Sequence, residues 1–225
     1  MSILEKIEIK NISVGGDCNL FHHGIVVDYL EKKSFVFKSG GLYGIIGEFG
    51  CGGAALSCGI SGDANFYEGE VNVDEKESTI DYLISNSWYV GNDLYKYDSK
   101  GLFGRKPKIK KNTIKEQIEY GVHNGKQSLD FHTIQSIFDL SEERVNRNIE
   151  FVSGERWKAS AAIGFANGRK IFCYPWMNSK DIDHLKEQMS KTVKCLTDSG
   201  CIVILPTTSE ENMRKIGKEF NITLL

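Results

Sequence analysis

One glycine-rich stretch, which follows a short apolar run, constrains the fold of this chain more than any other feature. Residues 44–56 read GIIGEFGCGGAAL, and the apolar run that ends at Gly47 is typical of a buried central strand. The glycines that follow allow a tight turn, and the segment AALSCGI after them is compatible with a short helix. The sequence therefore predicts a strand, a glycine loop and a helix in direct succession.

This succession has the spacing of a phosphate-binding loop but lacks its chemistry. The pattern G-x-x-x-x-G-K-[ST] needs a lysine for the phosphates and a hydroxyl for Mg²⁺, and residues 47–54 read GEFGCGGA. Either the loop keeps a backbone cradle that binds nucleotide weakly, or its glycines only make the turn. The candidate binding residues are Gly47, Gly50, Cys51, Gly52, Gly53, Ala54 and Ala55.

Strands alternate with helices in the last third of the chain. The apolar runs KIFCY and CIVIL are separated by a helix whose apolar residues share one face; these are Ile182, Leu185, Met189, Val193 and Leu196. This order is typical of parallel βαβ units and predicts an α/β fold. Because ligands sit at the carboxyl ends of such strands, we expect residues 47–53, Pro175 and Thr208 to gather there.

Two other regions differ from this pattern. Near the N-terminus, residues 6–13 (KIEIKNIS) predict a half-buried strand, and FYEGEVNVDEKE predicts an exposed hairpin or edge strand. Between Trp88 and Ile149, the segments TIKEQIEYGV and FHTIQSIFDL have helical spacing, which indicates a helical sub-domain at about 93–152. Residues 104–112 (GRKPKIKKN) are basic, and we interpret them as a solvated loop.

Composition excludes several classes of function. With 28 Lys+Arg against 30 Asp+Glu, the formal charge is -2, so no overall field favours nucleic acid. The charged N-terminus and the lack of a long apolar run favour a soluble, cytosolic protein. The six cysteines show no C-x-x-C spacing, which indicates buried free thiols rather than a metal site or disulfides.

Four segments, taken in order, resemble the nucleotide-binding subunit of ATP-binding cassette (ABC) transporters over essentially the whole chain. Residues 40–56 resemble its strand and Walker A loop, and residues 61–74 (SGDANFYEGEVNVD) resemble the segment that follows. WYVGNDL resembles the Y-V-P-Q-D segment, with Asn92 at the Q-loop glutamine. Residues 139–172 resemble the signature region L-S-G-G-[EQ]-R, of which VSGER keeps Ser153 and Gly154 but is one glycine short.

The resemblance implies a single domain over residues 1–225. Its architecture would be an ABC-type P-loop nucleotide-binding domain with a RecA-like core, an antiparallel β sub-domain and a helical sub-domain. Further site positions follow from it: Pro175 and Trp176 at the Walker B Asp and Glu, Thr208 at the switch histidine, and Ser153, Gly154 and Glu155 in the signature, facing a partner. Phe21 and Tyr29 are positional candidates for stacking on adenine. The alternative interpretation of Ser153 is a helix N-cap.

Each charged or metal-binding group of that site is replaced in this chain. The lysine, the Mg²⁺-ligating hydroxyl, both Walker B carboxylates and the histidine are absent. Because phosphoryl transfer is catalysed by charge stabilisation and positioning, we expect no ATP hydrolysis by the chain alone, no Mg²⁺ at its own site, and weak or absent ATP binding.

The resulting expectation is a degenerate subunit that forms a heterodimer with an active ABC ATPase rather than a homodimer. It would couple to a transmembrane permease, as a peripheral protein on the cytoplasmic face of the membrane. One alternative is a cytosolic scaffold or regulator that keeps the fold without transport. Another is an enzyme with rebuilt chemistry at Cys51 or Cys173, which we disfavour because neither has a histidine at recognisable spacing.

Overall fold

A computed structural model of the chain describes residues 4–94, 113–124, 126 and 128–225. The chain divides into two compact units, Met1–Tyr89 with Lys170–Leu225, and Val90–Arg169. The segment predicted as a helical sub-domain, about 93–152, lies within the second unit, which extends further at both ends. The basic stretch at 104–112, interpreted above as a loop, lies outside the described residues.

The first unit contains two sheets. Its strands are β1 (Lys6–Asn19), β2 (Ile25–Lys38), β3 (Leu42–Ile46), β4 (Asn65–Val73), β5 (Lys76–Ser78), β6 (Ser87–Tyr89), β7 (Ile171–Cys173), β8 (Ile202–Thr207) and β9 (Asn221–Leu224). The smaller sheet is antiparallel, with the order β2-β1-β4-β5. The hairpin predicted from FYEGEVNVDEKE is confirmed as β4 and β5, which pair around Asp74 and Glu75.

The second sheet is parallel, with the order β6-β7-β8-β3-β9. Its pairs β3–β8, β3–β9, β6–β7 and β7–β8 are all parallel, as the alternation of strands and helices predicted. Every residue of β7 and β8 is buried, which explains why their sequences are apolar without alternation. The fold class predicted from the sequence, α/β with an additional antiparallel sheet, is therefore confirmed.

Four helices belong to the first unit as described: α1 (Gly53–Ile60), α2 (Ile80–Asn86), α7 (Ser179–Asp198) and α8 (Glu210–Ile216). A capping box starts α7. The side chain of Asn178 accepts the backbone N–H of Asp181, and the side chain of Asp181 accepts the backbone N–H of Asn178. The apolar face predicted for α7 is buried at every predicted position, from Ile182 to Leu196. This face packs the helix on the unit's core.

The second unit is helical where it is described. Its helices are α3 (Ile114–His123), α4 (Phe131–Ile137), α5 (Glu142–Val145) and α6 (Arg156–Ala166), with short 3-10 turns at Ile149–Phe151 and Ser153–Glu155. A Thr113–Glu116 capping box begins α3. Gly121 lies so close to the backbone of Ala166 that a Cβ there would overlap its carbonyl. The small-residue segment WKASAAIGFA forms α6, and it lies in this unit.

Candidate functional site

The predicted strand, glycine loop and helix are present in the first unit. The strand β3 ends at Ile46, and α1 begins at Gly53. Gly50 and Gly52 have φ values of 90° and 95°, in the left-handed region that favours glycine. The backbone N–H of Gly47 donates to the carbonyl of Thr207 at 3.0 Å, which anchors the loop to the end of β8. The strand, the glycine loop and the helix thus follow one another as the sequence predicted.

The position where the motif would place a lysine is closely packed by apolar side chains. A Cβ built on Gly53 would lie 3.0 Å from the Cβ of Pro206 and 3.6 Å from both Trp176 Cδ1 and Leu225 Cδ1. These three side chains surround the start of α1 with apolar atoms. Packing therefore favours glycine at position 53, because a Cβ there would crowd Pro206.

Trp176 follows β7 in the chain and packs against the glycine loop. Its side chain is only 8% exposed, and its indole Nε1 donates to the carbonyl of Gly47 at 3.1 Å. The ring of Phe49 meets it edge to face, with centroids 5.4 Å apart. Pro175 precedes it, is also buried, and lies just beyond the end of β7. The two positions that would carry the Walker B carboxylates thus hold a proline and an indole that packs on the loop.

The N-terminus of α1 is held by a carboxylate that the sequence analysis missed. Asp28, on β2, is 2% exposed and accepts the backbone N–H groups of Gly52 at 3.1 Å and Ala55 at 3.0 Å. Both donors belong to the loop residues that the motif assigns to phosphate. The signal in the sequence was the position of this acidic residue on β2, where it faces inward as Leu30 does two residues later.

A cluster of hydroxyl and amide groups follows β8 at the predicted switch position. The side-chain nitrogen of Asn212 donates to the hydroxyls of Thr207 at 2.9 Å, Thr208 at 3.1 Å and Ser179 at 3.2 Å. Thr207 in turn donates to the carbonyl of Met177 at 2.8 Å. Thr208 therefore lies near the site as predicted, but it is part of a neutral network, and Asn212, which organises it, was missed.

The predicted Q-loop residue lies in the second unit. Asn92 is 5% exposed, and its carbonyl accepts the hydroxyl of Ser160 at 2.6 Å. The same hydroxyl accepts the backbone N–H of Gly91 at 2.7 Å. These bonds fix the backbone around Asn92 on helix α6, within its own unit.

The signature residues form an exposed turn before α6. Ser153 and Gly154 are exposed, and a Cβ on Gly154 would meet only Arg144 Nη1, at 3.3 Å. Glu155 accepts the backbone and hydroxyl donors of Ser141, both at 3.2 Å, and pairs with Arg144 and Lys158 at 3.6 Å. The alternative that Ser153 is the N-cap is wrong, because the N-cap of α6 is Glu155 and no side chain caps it.

The cysteines are free, but they are not uniformly buried as expected. Cys51 is exposed, and Cys195 is half-buried. Cys173 is fully buried, and this burial raises the pKa of its thiol well above the ordinary value, which disfavours a nucleophilic thiolate. Among the described residues, no cluster of His, Cys, Asp and Glu could hold a metal ion.

The two aromatic residues considered for adenine differ in exposure. Phe21 is half-buried and stacks on Tyr89, with ring centroids 5.7 Å apart. Tyr29 is 58% exposed, and its ring covers Gly15 so closely that a Cβ there would overlap it. Of the two, Tyr29 is the more exposed.

The two sheets and their helices define the class of this protein as an α/β fold with an additional antiparallel sheet. No protein-family profile matches the chain. The chain is similar to the solved structure of a putative ABC transporter ATP-binding protein from Pyrococcus furiosus, with 14% identity, a TM-score of 0.62, and coverage of 98% of this chain and 97% of that one. The chain thus has the fold of ABC transporter ATP-binding domains.

Two further structures support this assignment of the fold. One is an ATP-binding cassette solved as a dimer in a post-hydrolysis state with ADP and Pi, at 17% identity and a TM-score of 0.60, covering 97% of this chain and 94% of that one. The other is cbiO1 from Clostridium perfringens, part of the ABC transporter complex cbiONQ, at 15% identity and a TM-score of 0.55, covering 92% and 79%. None of the helices in the described part of the chain is long and apolar enough to cross a membrane.

Proposed function

We propose that this chain is a catalytically degenerate ABC nucleotide-binding subunit that does not hydrolyse ATP alone. One observation carries the proposal: the loop at the predicted phosphate position is packed against the apolar side chains of Trp176, Pro206 and Leu225, and a Cβ at Gly53 would already crowd Pro206. A phosphoryl-transfer site needs cations around the developing charge. Apolar side chains provide none.

The remaining positions of the site lack charge as well. Ala54 has no oxygen for Mg²⁺, and Pro175 has no carboxylate. The hydroxyl of Thr208 is bonded to Asn212 and is neutral. We therefore propose weak or absent ATP binding and no Mg²⁺ at this chain's own loop.

A partner subunit would supply the missing chemistry. Ser153 and Gly154 are exposed at the turn before α6, so they are accessible to a nucleotide bound by another subunit. A homodimer would have this chain's closed loop at both composite sites, which favours a heterodimer with an active ATPase subunit. The similar ATP-binding cassette that was solved as a dimer, and the similar cbiO1 within a transporter complex, support assembly of this kind.

We further propose that the assembled pair couples to a transmembrane permease on the cytoplasmic face of the membrane. The helical segments of the second unit would carry that contact. The complex should therefore be recoverable by affinity purification of the tagged chain from its native cells, in mild detergent. We expect an active cassette subunit and a membrane protein to co-purify in stoichiometric amounts.

ATP hydrolysis by the purified complex and by the chain alone tests the proposal. We expect turnover by the complex and none by the chain. A matched variant with Ser153→Glu in the complex should reduce turnover, because a carboxylate at this turn would repel the partner's bound phosphates. Failure to recover any cassette subunit or membrane protein would contradict the proposal.

A scaffold or regulator without transport remains a second candidate because of one exposed surface. Ile25, Val27 and Tyr29 follow one another on the outer face of β2 and are 71%, 57% and 58% exposed. Contiguous apolar exposure of this kind marks interaction sites. The scaffold would bind a soluble partner whether or not ATP is present. Partner binding measured with and without ATP therefore separates the two candidates.

A further inference from the structure

Asp28 differs from the other acidic side chains of the antiparallel sheet in being almost completely buried. Only 2% of the residue is exposed, whereas Val27 and Tyr29 on either side face solvent. A buried carboxylate is costly unless it is hydrogen-bonded. Asp28 meets this condition with the N–H groups of Gly52 and Ala55, at 3.1 and 3.0 Å.

Both donors lie at the N-terminal end of α1. The first turn of this helix contains no acidic residue of its own. The N-cap residue is Gly52, and no residue of the helix caps it through its own side chain. Helix N-termini present unpaired N–H groups and a partial positive charge, and an anion there is stabilising. Asp28 lies on a strand more than twenty residues earlier in the chain, and its carboxylate is the anion at this helix N-terminus.

We propose that Asp28 is a resident anion of the glycine loop, which occupies backbone donors that a nucleotide phosphate would need. Its oxygen atoms accept the N–H groups at both ends of the turn, and its charge repels a further anion. The inference rests on the proposed function and deepens it, because it identifies the residue that excludes di- and triphosphates from this chain's own loop. The side chains around Gly53 disfavour a lysine at that position, and Asp28 excludes the phosphate.

Removal of the carboxylate tests this role in the purified full-length chain. The variants are Asp28→Ala and Asp28→Asn, and the matched control is Asp17→Ala, an exposed aspartate on the paired strand opposite Val27. The probes are inorganic phosphate and pyrophosphate, compared with sodium chloride at equal ionic strength. The readouts are the Tm and isothermal titration calorimetry.

We expect wild type and Asp17→Ala to show no shift with either probe. Asp28→Ala should lose roughly 5 to 10 °C in Tm, because the donors of α1 lose their acceptor. Tens of millimolar phosphate or pyrophosphate should restore about 2 °C or more of that loss, because the ligand binds only the folded state. Asp28→Asn keeps the shape and one acceptor oxygen, so its Tm should fall less, and it serves in place of Asp28→Ala if that variant does not fold.

Three results would overturn the inference. They are pyrophosphate binding by wild type with a Kd below about 1 mM, a Tm of Asp28→Ala equal to that of wild type, and a lowered Tm that neither probe raises. None of these concerns turnover, so each leaves the proposed pairing with an active subunit standing. Conversely, ATP hydrolysis by the chain alone would remove the proposed function whatever Asp28 does.

Discussion

The glycine loop after β3 and the turn before α6 both resemble ABC nucleotide-site motifs, yet their surroundings are opposite. In the loop, Gly52 and Gly53 are buried against Asp28, Trp176 and other side chains of the same unit. In the turn, Ser153 and Gly154 are exposed. One motif is buried by side chains of its own unit, and the other is exposed.

This difference is what we expect if the fold has kept its backbone and lost its chemistry, as proposed above. Without a bound phosphate, the N–H groups of α1 still need acceptors and the space beside Gly53 still has to be filled, because unpaired donors and cavities are destabilising. A carboxylate and an indole do this here. In the turn before α6, no side chain of the described residues covers Ser153 and Gly154, so both are accessible to the partner subunit proposed above.

The largest effect should come from truncating the side chain that closes the loop. Trp176→Ala removes a buried ring and its hydrogen bond to Gly47, and we expect a loss of about 3–5 kcal/mol in the free energy of unfolding. The matched control is Phe151, an aromatic residue that is 71% exposed just before the turn. Phe151→Ala should change the free energy of unfolding by no more than about 0.5 kcal/mol. Urea unfolding monitored by circular dichroism measures both. Equal losses would remove the contrast between the two regions.

A smaller loss should follow from restoring the motif lysine. Gly53→Lys brings a Cβ to 3.0 Å from Pro206, so we expect overpacking to cost about 1–3 kcal/mol. We also expect no ATP turnover, because the carboxylates and the histidine are still missing. Cys51→Lys, at an exposed position of the same loop, is the control and should leave stability nearly unchanged. Turnover by Gly53→Lys would show that the catalytic positions have been misplaced.

The polar network at the end of β8 should give a comparable or slightly smaller effect. Asn212→Ala leaves the buried hydroxyl of Thr207 without one of its partners, and we expect a loss of about 1–2 kcal/mol. Asn221→Ala, at an exposed position of β9, should be close to neutral. Thermal unfolding of both variants tests whether this network is structural. If Asn212→Ala is as stable as wild type, Asn212 has no structural role.

The smallest effect on the isolated chain should come from the open turn. Ser153→Glu should change the free energy of unfolding by less than about 0.5 kcal/mol, since Ser153 is exposed. In the purified complex the same variant should lower ATP turnover at least about tenfold, which corresponds to one lost phosphate contact. Ser136→Glu, on the exposed side of α4 in the same unit, is the control. Unchanged turnover in the complex would remove Ser153 from the proposed composite site.

Sequence patterns predicted those parts of the fold that depend on residues close together in the chain. The period of α7 and the apolar runs of β7 and β8 are local, so their burial followed directly from them. Asp28 and Asn212 were missed because their roles depend on groups brought together by the fold. Only the position of an acid among the inward-facing residues of β2 signalled Asp28 in advance.

The exposure of single residues was also harder to predict than the elements that contain them. Cys51 is exposed although its neighbours Gly52 and Gly53 are buried, because the loop turns between them. Ser153 looked suited to cap α6, but a 3-10 turn at Ser153–Glu155 moves the start of the helix to Arg156. Such a two-residue displacement of a helix start depends on the backbone path rather than on composition.

The central claim is tested most directly by ATP hydrolysis in the presence of Mg²⁺. Hydrolysis is measured first for the purified chain alone and then for the chain together with the cassette subunit that co-purifies with it. We expect no turnover above background for the chain alone, and turnover for the complex that falls when Ser153 is replaced by glutamate. Sustained ATP hydrolysis by the chain alone, abolished by substitutions in the loop at residues 47–53, would contradict it.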